Sequence, residues 1–165
     1  MEKIPASEQE QDPLESRDAL VAENEGIFAN SIFQKILASI NEGWDSLTTA
    51  KKKVIIESLG ELIESLKNYH DGYVGLKFAS SPERHATQEI EKYQEAVKAA
   101  DMREHILHDS FIDAVNILSR RMKSLGLSNE WRADEEIDGL NKEGTRKKLK
   151  LWMFKIFEER MIEHL

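Results

Sequence analysis

The chain has 165 residues, 40% apolar and 33% charged, with a formal net charge of −8 and no cysteine. That length supports one ordinary hydrophobic core rather than two. The missing cysteines exclude disulfides, thiolate metal ligands and cysteine nucleophiles, and the acidic balance disfavours a polyanionic partner such as nucleic acid.

No apolar run approaches the roughly eighteen residues of a membrane span. The first residues, MEKIPASEQEQDP, also lack the apolar segment of a signal peptide. The expectation is a soluble cytoplasmic protein. Residues 1–25 hold eight acids against Lys3 and Arg17, a net of −6, leaving −2 for the rest. Residues 1–13 are polar, acidic and carry Pro5 and Pro13, so the reading is a disordered acidic tail followed by one helical domain over 14–165.

From Leu14 to Gly26 the pattern allows a short helix. Over 27–40, Phe28, Ile32, Phe33, Ile36, Leu37 and Ile40 fall on one side of a helix that Gly43 stops. Ser46, Thr48 or Thr49 caps the next helix. There Ile55, Leu59, Leu62, Leu66 and Tyr69 alternate steps of four and three, a seam for a neighbouring helix in the same bundle, and Gly60 allows close approach. The segment 71–82, DGYVGLKFASSP, breaks the period with Gly72, Gly75 and Pro82. It reads as a lid or crossing connection, or a short strand, because Val74, Leu76 and Phe78 alternate.

No proline or glycine interrupts residues 83–125, which form either one long curved helix or two helices meeting near Asp101. The clearest helical face of the chain lies here: Leu107, Phe111, Ala114, Leu118, Met122 and Leu125 recur every three or four residues. Gly126 ends it, an acidic connection follows, and residues 145–162 form a last helix with Leu149, Trp152, Met153, Ile156 and Phe157 on its main face. Leu151, Phe154 and Ile162 point away from that face. The fold expected is therefore all-α, a single bundle of four to six helices.

Chemistry-bearing residues gather at one place. Asp101, Glu104, His105 and His108 share an edge of the long helix, and imidazoles with carboxylates one turn apart are the donor set of a divalent metal site. Glu57, Glu61 or Glu64 on a facing helix would supply a further ligand. The Glu-x-x-His repeat of di-iron bundles and the His-Glu-x-x-His zinc motif are both missing, so structural use of these side chains is the competing reading. Residues 134–145 imitate the first half of a calcium loop, but Thr145 stands where a bidentate Glu belongs, so an acidic linker is expected. The basic runs Lys51–Lys53 and Arg146, Lys147, Lys148, Lys150 sit in first turns of helices, where the helix dipole disfavours them. No phosphate-cradling glycine loop or nucleophile elbow occurs.

The sequence therefore points to a non-enzymatic interaction or regulatory protein with no resident cofactor, binding a protein partner or itself through Leu151, Phe154 and Ile162. The alternative is a metal-binding bundle or metal-dependent hydrolase built on Asp101, Glu104, His105 and His108. A nucleic-acid-associated regulator, supported only by the basic runs, comes third.

Overall fold

Short polar side chains set where the helices begin. The computed structural model describes residues 12–87, 89–133 and 145–163, with side chains at all of these except 84, 85, 87, 145–147 and 158–163. Asp12 accepts a hydrogen bond from the Leu14 amide (3.0 Å), and Pro13, whose φ already suits a first turn, opens α1 at Pro13–Glu23. A single turn, α2 at Glu25–Phe28, leads to α3 at Ser31–Gly43, where Asn30 accepts from the Ile32 amide (3.0 Å). After a 3-10 turn at Trp44–Ser46, Thr48 caps α4 at Thr49–Ala79 by accepting from the Lys51 amide (3.2 Å). The short α5 at Pro82–Thr87 reverses the chain into α6 at Ile90–Ser124. Another 3-10 turn at Glu130–Ala133 precedes α7 at Thr145–Glu163. Among the described residues the fold is all-α, five long helices and two short ones.

The two longest helices form an antiparallel hairpin. Ser58 meets Arg121, Tyr69 stacks on Phe111 (6.0 Å between ring centroids), and the Tyr93 hydroxyl donates to the Ser80 carbonyl (3.3 Å). The core runs through Ile32, Phe33 and Ile36 of α3, Leu59, Leu62 and Leu66 of α4, Phe111, Val115 and Leu118 of α6, and Trp152, Met153 and Ile156 of α7. Each such side chain contributes about 1.5–3 kcal/mol on burial.

Residues 71–79 differ from the lid, connection or strand expected for 71–82. They are the last turns of α4, which passes through Gly72 and Gly75 without a break. The cause is tertiary. A Cβ on Gly72 would stand 2.7 Å from Leu107 Cδ1 and 3.5 Å from the Glu104 Cα, so this glycine lets α4 and α6 touch. Gly60, expected to serve that purpose, has nothing within 4 Å of its Cβ position. The long helix also resolves: α6 is continuous through Asp101, and the interruption falls before Ile90. Its end is a Schellman motif, with Gly126 at φ 78°, its amide bonded to the Lys123 carbonyl (3.1 Å) and the Leu127 amide to that of Met122 (2.8 Å).

Candidate functional site

On α6 the buried residues are Glu104, His108, Phe111, Ile112, Val115, Leu118, Ser119 and Met122, so two ionisable side chains and one hydroxyl interrupt an otherwise apolar stripe. Glu104 has no solvent exposure. Its Oε1 lies 3.3 Å from Nζ of Lys150 on α7, and the same ammonium sits 5.6 Å from the ring centroid of Tyr73 on α4. One residue from each of three helices therefore meets at this point. Removing a carboxylate from water is unfavourable by several kcal/mol unless an opposite charge accompanies it, and Lys150 is that charge.

His108 does not join its expected companions. It is buried, its ring stands nearly perpendicular to that of Tyr69 (centroids 5.3 Å apart), and its Nδ1 lies 3.2 Å from Oδ1 of the adjacent Asp109. Four residues after Glu104, it points down into the bundle with Phe111, whereas Asp101 and His105 stay at the surface. Of the four residues expected to share the site, the structure brings three together. One ligand atom each from Asp101, Glu104 and His105 lies within 4.8 Å of the others. His105 Nε2 is 3.5 Å from Asp101 Oδ2, so His105 pairs backward one turn with Asp101. The facing-helix acids do not complete the group: Glu57, Glu61 and Glu64 are exposed, and Glu61 lies 3.9 Å from Arg121, toward the other end of the hairpin.

The wall of the site is aromatic. His70 of α4 stacks on Phe157 (4.1 Å between ring centroids) and faces Phe154 at 6.3 Å, and Tyr73 meets Phe154 edge-on at 5.8 Å. Burial holds the His70 imidazole below its ordinary pKa, with Asp71 opposing at 3.9 Å. Lys77 lies over both Tyr73 and Phe154. Phe154 is thus half-buried against α4, while Leu151 stands 63% exposed and Trp152 stacks on Phe33 in the core. The Ile162 side chain, the 134–144 connection with its calcium-loop pattern, and the side chains of Arg146 and Lys147 lie outside the described set.

Lys150, Tyr73 and His70 were not singled out by sequence reasoning. Lys150 belongs to a basic run in the sequence, yet it follows the buried Leu149 and precedes the half-buried Phe154 by four residues. That placement at the margin of a buried face was the available signal. The open cleft between α3 and the second 3-10 turn, lined by Lys35, Ser39, Glu42 and Glu130, contains none of the site's residues. No family model, curated protein or solved structure matches this chain. Among the described residues no helix is long and apolar enough to cross a membrane.

Proposed function

We propose that this protein is a non-enzymatic interaction or regulatory protein that engages a protein partner, or a second copy of itself, through the outward face of α7. The observation that carries the reading is the exposure of Leu151 on the side of α7 opposite the buried Leu149, Met153 and Ile156. Exposed Lys148 and Lys155 stand three residues before it and four after it, on the same side of the helix. One apolar knob between two cations fits an apolar socket rimmed by carboxylates. Phe154 spends most of its ring on His70 and Tyr73, so the reading centres on Leu151 rather than on the wider set.

Light scattering on the eluting protein across a concentration series, together with cross-linking in extract, tests this. The expected result is a complex that the Leu151→Asp variant fails to form while keeping the wild-type helix content and melting temperature. A strict monomer that cross-links to nothing, or a complex that Leu151→Asp forms equally well, overturns it.

A further inference from the structure

We propose that Asp101, Glu104 and His105 form a divalent transition-metal site whose buried ligand is the carboxylate that also holds α7 in place. Spacing of i, i+3 and i+4 puts all three on one turn of α6, with one donor atom from each already within 4.8 Å of the others. Zinc binds imidazole nitrogen and carboxylate oxygen at about 2.0–2.2 Å, which puts neighbouring ligand atoms about 3–4 Å apart. The group closes around a cation by rotation of Asp101 and His105 alone, and both are half-exposed, with side-chain exposures of 53% and 50%. One imidazole and two carboxylates favour zinc or cobalt over calcium or magnesium, which prefer oxygen alone. Water completes the outer positions.

Glu104 distinguishes this group from an ordinary surface cluster, because its carboxylate is wholly buried and paired with Lys150 of α7. It also makes binding conditional. A dication on Glu104 repels the Lys150 ammonium 3.3 Å away, and that lysine, whose side chain is 26% exposed, can turn its ammonium to water. Metal occupancy and the Glu104 to Lys150 contact therefore compete, and the metal loosens α7. The site stands independently of the partner-binding reading, since its test is made on the isolated chain.

Zinc titration of the untagged full-length protein by calorimetry tests the site. The expected result is one zinc per chain with a sub-millimolar Kd, weakened by more than about tenfold in the Asp101→Asn and His105→Gln variants, both at exposed positions. Hydrogen exchange at saturating zinc reads the competition: amides of α7 exchange faster than in the metal-free protein, and those of α3 do not. Folded protein that binds no zinc at millimolar concentration, or binding undiminished in both variants, overturns the site. Unchanged exchange in α7 overturns the competition.

Discussion

Lys150 on α7 and Glu104 on α6 form an unequal pair: the carboxylate has no solvent exposure, whereas the lysine side chain keeps 26% of its own. The two partners should therefore respond differently to mutation. Lys150→Met strands a buried anion, a loss of about 3–5 kcal/mol by the usual measure of a broken buried pair. Glu104→Met leaves an ammonium that can turn to water, so its loss should stay near about 1 kcal/mol. The double variant should recover most of the stability lost in Lys150→Met. Urea unfolding of the three variants checks the order, and equal losses for the two single changes would show that the pair carries no such asymmetry.

Two glycines on one helix give a second contrast. Gly60 has open space at its Cβ position, so Gly60→Ala should stabilise α4 by about 0.5–1 kcal/mol through helix propensity alone. Gly72→Ala gains the same propensity but drives Leu107 aside, and should end about 1 kcal/mol less stable than Gly60→Ala. Thermal melts of both single variants decide it. A Gly72→Ala protein as stable as Gly60→Ala would mean that Leu107 yields without loss.

How much of this was legible beforehand follows the same division. Local signals identified the helices well: the capping Thr48, the stop at Gly126 and the apolar steps from Phe111 to Met122 all act within a turn or two of the chain. Gly72 misleads because its place in the helix is explained by packing against Leu107 of α6, more than thirty residues away. The site divided likewise. Its residues on one turn, Asp101, Glu104 and His105, were legible from spacing. The inward turn of His108 toward Tyr69 and the arrival of Lys150 depend on how three helices pack, which no single-helix periodicity encodes.

His70 supplies a prediction about pH. Its ring is held between α4 and α7 by Phe157 and Phe154, and burial lowers its pKa from the ordinary 6.5, with Asp71 only partly offsetting this. The unfolded chain therefore takes up a proton at this position at a higher pH than the folded one does. Well above 6.5 both states are neutral there and the group contributes no pH dependence. As pH falls below that value the unfolded state gains the proton first, so stability declines with acidification until the folded form also titrates. Denaturant unfolding from pH 7.5 to 5 should show that decline in the wild type and a shallower one in His70→Phe, which keeps the stack on Phe157 without a titrating group. Parallel pH profiles for the two proteins would place the acid sensitivity elsewhere.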